Sequence, residues 1–194
     1  MKKKLKDLNT NFIGKRIDYY EILDSTHLFA KKLSNKEIQD GMVILAENQI
    51  SGIGTHGRIW DVQSGKNLTF NIILTPHCNI QKISGLTIVI ADSIVRSLYE
   101  LYEIKTEIKM PNDIILNNKK LAGILTETVI MKEEVEKIFI GIGLNVNQEK
   151  FPDDLKKIAT SLKKEFKKEF SKDEILKKFL EIFEAEYTKM LDIG

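Results

Sequence analysis

Between residues 104 and 144 the chain carries four strand-like segments in succession, and this run constrains the fold more than any other feature. Residues 104–109, 113–116 and 121–130 are built of strand formers, and the turn-forming pair Asn117-Asn118 separates the last two. A charged turn over residues 132–136 leads into a fourth segment, residues 137–144. So many consecutive strands predict an α+β fold: a mixed, largely antiparallel sheet flanked by helices on one side.

The upstream segments extend this pattern. Residues 41–47 read as a buried strand, short and apolar, and residues 67–74 as another that Pro76 stops. Between residues 84 and 102, Leu86, Val89, Ile90, Ile94, Leu98 and Leu101 fall on one helical stripe, leaving Arg96 and Glu100 for solvent. Ser25 and Thr26 are N-cap candidates for a short helix carrying Leu28, Phe29 and Leu33. From Asp153 the chain becomes rich in lysine and glutamate, and Ser171 with Glu174 forms a capping box ahead of Leu176, Leu180, Phe183, Tyr187 and Met190. At 194 residues this makes a single domain, with its core over about residues 15–150 and a C-terminal helical segment over 151–194.

Charge and cysteine usage narrow the function classes. The formal charge is only +2 and the lysines are dispersed, which leaves no nucleic-acid footprint. Cys78 is the only cysteine, so an internal disulfide and a multi-cysteine metal site are excluded, and a reducing, cytoplasmic setting fits. The basic opening Met1-Lys2-Lys3-Lys4 is followed by Lys6, Asp7 and Asn9, which interrupt any apolar stretch of an export signal. The apolar stretch at residues 86–91, like every other in the chain, falls far short of the roughly 20 residues of a membrane-spanning helix, and a soluble protein is expected.

Gly52-Ile53-Gly54-Thr55-His56-Gly57 follows the strand at 41–47 and matches the dinucleotide-binding pattern G-x-G-x-x-G. The match misleads. A dinucleotide loop opens a helix whose dipole meets the pyrophosphate, yet residues 59–65 show no helical stripe, and the acidic residue expected about 20 positions on is missing. What remains is a loop with three glycines, Thr55, Arg58 and Trp60, able to fold over a ligand and bring backbone N–H groups to phosphates or a carboxylate. A plain surface loop whose glycines only permit turning is the alternative at this point.

Three separated segments are more specific: Glu47-Asn48-Gln49 running into residues 52–60, Lys109-Met110-Pro111-Asn112-Asp113, and Lys120-Leu121-Ala122-Gly123-Ile124-Leu125-Thr126-Glu127. With Asp24-Ser25-Thr26 before the first helix and Gly141-Ile142-Gly143-Leu144-Asn145-Val146-Asn147 near the end, they resemble the signature of biotin protein ligases, in family order, over about residues 15–190. The resemblance implies a class II synthetase-like fold shared with lipoate ligases. It also implies a two-step reaction: biotin and ATP give biotinyl-5′-AMP and pyrophosphate, and a lysine of a biotin carboxyl carrier protein then takes the biotinyl group and releases AMP.

The first step brings an anionic carboxylate up to an anionic triphosphate, which requires cations and oriented N–H donors. By resemblance, Lys120 and Arg58 are the catalytic candidates, and Lys120 sits between the carboxylate and the α-phosphate; on its own it reads as a solvated lysine at a hairpin end. Ser25, Thr26, Gln49, Gly52, Gly54, Thr55, Lys120 and Gly123 fall to the biotin side. Gly57, Arg58, Trp60, Asn112, Asp113 and Asn145 fall to the nucleotide side, as a charge for phosphate, an indole for adenine and polar groups for ribose, base or metal. Mg²⁺ is implied by the ATP chemistry, with no recognisable ligand cluster.

The chain departs from the family pattern in the loop, where Gly52-Ile53-Gly54-Thr55 replaces the frequent Gly-Arg-Gly-Arg and so lacks two positive charges; His27 stands where asparagine is common, and Met110 where tryptophan is frequent. It begins almost at the catalytic domain, without the helix-turn-helix domain of repressor-type members, and stops about where the family's small C-terminal barrel would begin. The expected partner is the carrier domain of a biotin-dependent carboxylase. Neither DNA nor a membrane is expected, and a homodimer is compatible with the sequence. A lipoate or octanoate ligase and a non-catalytic biotin sensor are the alternatives; Gln49 favours biotin, and Lys120 argues against a mere sensor.

Overall fold

A computed structural model describes residues 5–192; the basic opening at Met1 to Lys4 lies outside them. The chain runs β1 (Ile17–Leu23), α1 (Thr26–Lys32), β2 (Met42–Gln49), β3 (Leu68–Leu74), β4 (Cys78–Asn79), α2 (Leu86–Tyr102), β5 (Glu107–Lys109), β6 (Asp113–Leu116), β7 (Lys119–Met131), β8 (Glu134–Leu144), α3 (Leu162–Phe166) and α4 (Lys172–Met190). Among the described residues eight strands form one sheet in the order β1-β2-β3-β8-β7-β6-β5, with β4 on the end of β8. β1 and β2 run parallel and all other neighbours antiparallel, which is the mixed, largely antiparallel sheet that the strand run predicts.

The helices occupy both faces, not one. α2 and α4 share a core with one face of the sheet, where Phe70 of β3 meets Phe179 edge-on at 5.6 Å and Phe179 stacks on Phe183. α1 covers the other face through Ala30, above Met42, Ile44, Ile73 and Phe139. Apolar cover on both sides explains why β3 is buried along its whole length and why the first half of β2 reads as an uninterrupted apolar run. Each fully buried large side chain there stabilises the fold by roughly 1.5–3 kcal/mol.

Two helices start where the sequence places their caps: Ser25 Oγ accepts from Leu28 N–H, and Ser171 Oγ from Glu174 N–H at 3.3 Å. The buried Glu184 of α4 then accepts from the backbone N–H groups of Asn11, Phe12 and Ile13, fixing the segment that leads into β1. β1 itself is not legible in the sequence. It is an edge strand with Asp18 and Glu21 among its residues, and Ile17 and Tyr19 pack on one face of the sheet while Tyr20 and Leu23 pack on the other, so no single-face alternation marks it.

Candidate active site

On the α1 face of the sheet, cross-strand neighbours form rows. Ala46, Thr69, Gly143 and Gly123 make one row, and Ile44, Asn71, Gly141 and Leu125 the next. Strand residues two apart share a face, so Gly141 and Gly143 of β8 lie side by side and, with Gly123 of β7, give the sheet a floor free of side chains. The space is used at once. A Cβ on Gly143 would stand 2.3 Å from the Trp60 indole, and one on Gly141 3.1 Å from His27 Nδ1.

The glycine loop forms the wall. Trp60 N–H donates to Gly52 O at 2.7 Å and Gly54 N–H to Arg58 O at 2.8 Å, with Ile53 and Ile59 bridged between them, so residues 52–60 close into a small hairpin. Its incoming leg is tied where Ile50 N–H donates to Leu23 O and Ser51 N–H to Asp24 O, just ahead of α1. Between floor and wall lies a cavity of about 40 Å³. That holds a few waters, and the cavity opens to solvent beside the hairpin.

At one end of the cavity Gln49 Oε1 accepts from both the backbone N–H (2.7 Å) and the hydroxyl (3.0 Å) of Thr26, next to the capping Ser25. At the other end stands Lys120. Residues of β7 alternate between faces, and Lys120 would share parity with Ala122 and Ile124, which belong to the α2 side. A β-bulge intervenes: Ile114 pairs with Ala122 but Ile115 with Lys120, skipping Leu121. The skipped residue turns Lys120 to the face of Gly123, where its ammonium lies 2.6 Å from Asp113 Oδ1 and 5.5 Å from the Trp60 ring centroid. Its backbone is gripped as well, since Lys120 N–H donates to Ile158 O and Thr160 N–H to Lys120 O.

His27 is the ionisable residue that sequence reasoning left without a role. It is 2% exposed, with Nδ1 3.0 Å from Asn71 Nδ2 and Nε2 3.4 Å from Glu127 Oε1, while Glu127 also pairs with Lys31. Burial pushes its pKa below the ordinary histidine value, against the opposing pull of Glu127. A depressed value means that the unfolded chain binds the extra proton first, so stability falls as pH drops through the unfolded value of about 6.5 and keeps falling down to the folded one. Glu127, lowered chiefly by Lys31, loses its contribution only in the more acidic carboxylate range. Urea unfolding of wild type and His27→Asn between pH 7.5 and 5.5 should therefore show a smaller loss in the variant; equal slopes would count against a neutral, buried His27.

Of the expected site residues, Ser25, Thr26, Gln49, Gly54, Thr55, Trp60, Asn112, Lys120 and Gly123 line this one cavity. Gly52 sits at the hairpin base against Gln49, and Asp113 reaches the cavity through Lys120. Gly57 and Arg58 occupy the exposed hairpin tip. Asn145 is buried away from the lining, accepting from Asn67 and donating to Thr160 O. Besides His27, the lining adds Ile53, Ile124, Leu125, Gly141, Ile142 and Gly143; the i, i+2 glycines of β8 were the signal for the floor.

Residues 19–145, which contain the whole cavity lining, match the model of one family, described as the biotin/lipoate A/B protein ligase family. The chain belongs to that family. Its relatives include the bifunctional ligase/repressor BirA of Bacillus subtilis, 36% identical over 189 residues that take in 96% of this chain and 58% of that protein. The biotin--[acetyl-CoA-carboxylase] ligase of Mycobacterium tuberculosis is 31% identical over 139 residues, covering 70% of this chain and 49% of that one. Among solved structures, the biotin protein ligase of Aquifex aeolicus in complex with biotin and ATP is similar with a TM-score of 0.79 at 30% identity, over 92% of this chain and 72% of that chain. This biotin/lipoate ligase family member thus has the mixed sheet and flanking helices of the Aquifex protein, and spans about half the length of the curated relatives it matches.

Proposed function

We propose that the cavity activates biotin with ATP to biotinyl-5′-AMP and passes the biotinyl group to a lysine of a biotin carboxyl carrier protein. The observation that carries this reading is the polarity of the cavity: hydrogen-bonding groups of Ser25, Thr26 and Gln49 at one end, a glycine floor, and an ammonium at the other. A ureido ring needs donors and acceptors at one end, and its carboxylate needs a cation at the other. In the first step a biotin carboxylate oxygen bonds to the α-phosphorus while the bond to the β-phosphate bridging oxygen breaks and pyrophosphate leaves. In the second, an uncharged lysine amine attacks the acyl carbon, AMP departs as the C–O bond breaks, and the amine gives up a proton.

Lys120 serves where carboxylate and phosphate meet, with Arg58 carried in on the hairpin, and the indole N–H of Trp60, buried without a partner among the described residues, adds a donor on the wall. Asp113 and Asn112 would be the groups to hold Mg²⁺, which would neutralise phosphate charge; a single carboxylate suits an ion that takes its other ligands from phosphates and water. Among the described residues no cluster of three or more histidine, cysteine or acidic side chains forms a dedicated metal site, and no helix is long and apolar enough to cross a membrane.

Pyrophosphate release tests the reading. With ATP and Mg²⁺, release should depend on biotin and be followed by labelling of a carrier domain. Lipoate turnover exceeding biotin turnover would replace the substrate, and tight biotin binding with no release above blank would leave a sensor.

A further inference from the structure

Gln148 lies outside the cavity and is fully buried, yet its side chain uses both donors and both acceptor positions. Nε2 donates to Asp61 Oδ2 at 2.7 Å and to Lys150 O at 3.0 Å, and Oε1 accepts from Gln63 N–H at 3.2 Å and from Asn67 Nδ2. Asp61 and Gln63 form the outgoing leg of the glycine loop, directly after Trp60. Asn67 Nδ2 also donates to Asn145 Oδ1, Asn145 Nδ2 to Thr160 O, and Thr160 N–H to Lys120 O. One chain of buried amides therefore joins the leg of the hairpin to the backbone of Lys120.

We propose that Gln148 is a positioning residue for adenylation: it pins the outgoing leg of the loop, through Asn67, Asn145 and Thr160, to the segment that presents Lys120. The hairpin at 52–60 can then swing open for ligand and return to one register over Lys120. This rests on the ligase reading for its chemistry, while the pinning itself concerns the free protein. A buried network with every donor satisfied has one low-energy arrangement, and reversing a single partner leaves charges or donors unmatched.

The test uses that asymmetry. Gln148→Glu keeps the acceptors, removes the donors and sets a carboxylate against Asp61; adding Asp61→Asn supplies a donor from the opposite side and restores the contact to the loop leg, leaving only the Lys150 carbonyl without its donor. Arg58 is exposed at the hairpin tip, so trypsin nicking after it reads loop mobility without ligand or turnover. Gln148→Glu is expected to speed nicking about tenfold and to lower the kcat of pyrophosphate release about tenfold, more than it changes the KM for ATP. The double variant should recover most of both, which a loss of packing would not allow. Unchanged nicking in Gln148→Glu, or no recovery in the double variant, overturns the pinning. Faster nicking with unaltered kcat overturns the link to Lys120, and an inactive wild type with these nicking results overturns the ligase reading while the pinning stands.

Discussion

Replacing Lys120 by alanine is expected to slow pyrophosphate release about a hundredfold while leaving biotin affinity within a few-fold of wild type. The free protein holds the ammonium against Asp113, 2.6 Å away, with the Trp60 face nearby, and both side chains are partly exposed. In that setting the ion pair itself adds little to stability, so the variant should fold normally. On the proposed reading the charge matters most once carboxylate and α-phosphate converge, because bond formation concentrates negative charge between them and only that state needs the cation in place. A contact of about 3 kcal/mol made there corresponds to a rate factor of roughly a hundred. Pre-steady-state release of pyrophosphate, with biotin binding measured separately by calorimetry, separates the two effects. An unaltered rate in a folded variant would make Lys120 an ordinary solvated lysine.

How Lys120 arrives at the cavity illustrates what the sequence conveys and what it does not. The strands from β5 to β8, the stripe of α2 and the caps of α1 and α4 are local patterns, and each appears in the structure within a few residues of where periodicity and turn residues place it. The Lys120 orientation depends on a one-residue bulge at Leu121, and a bulge changes pairing without changing composition. β1 was missed for a similar reason: an edge strand paired on one side requires little apolar signal.

The cavity was legible in part. Motif residues that line it, such as Thr26, Gln49, Trp60 and Lys120, could be named because the resemblance to biotin protein ligases singled them out. Of the floor, Gly123 was named with its motif, whereas Gly141 and Gly143 were given no role, since the floor consists of absent side chains. Asn145 belongs to a recognisable motif, but its amide is consumed by Asn67 and Thr160, partners 78 and 15 residues away in sequence. Buried amide networks of this kind join distant segments, and no local pattern announces them.

Arginine introduced at both Ile53 and Thr55 is expected to tighten binding of biotinyl-5′-AMP between tenfold and a hundredfold, with a smaller gain for biotin and almost none for biotinamide. Both side chains line the cavity on the hairpin that faces Lys120, so a guanidinium on either would meet an acyl phosphate lying across the floor. In the native chain Ile53 is bridged to Ile59 instead, which closes the hairpin by backbone pairing but offers nothing to an anion. A charge-assisted contact contributes roughly 1.5–3 kcal/mol, the equivalent of about ten- to a hundredfold in affinity. The gain is also reduced by salt, because the hairpin is partly exposed. On the proposed reading only the adenylate brings a phosphate into this space, whereas biotin brings a single carboxylate and biotinamide no charge. Titration calorimetry with the three ligands at two ionic strengths, after circular dichroism has established the fold of the double variant, distinguishes electrostatics from ordering. Equal, salt-independent gains for all three would mean that the arginines act by stiffening the hairpin, and positions 53 and 55 would no longer belong to the acyl-phosphate side of the cavity.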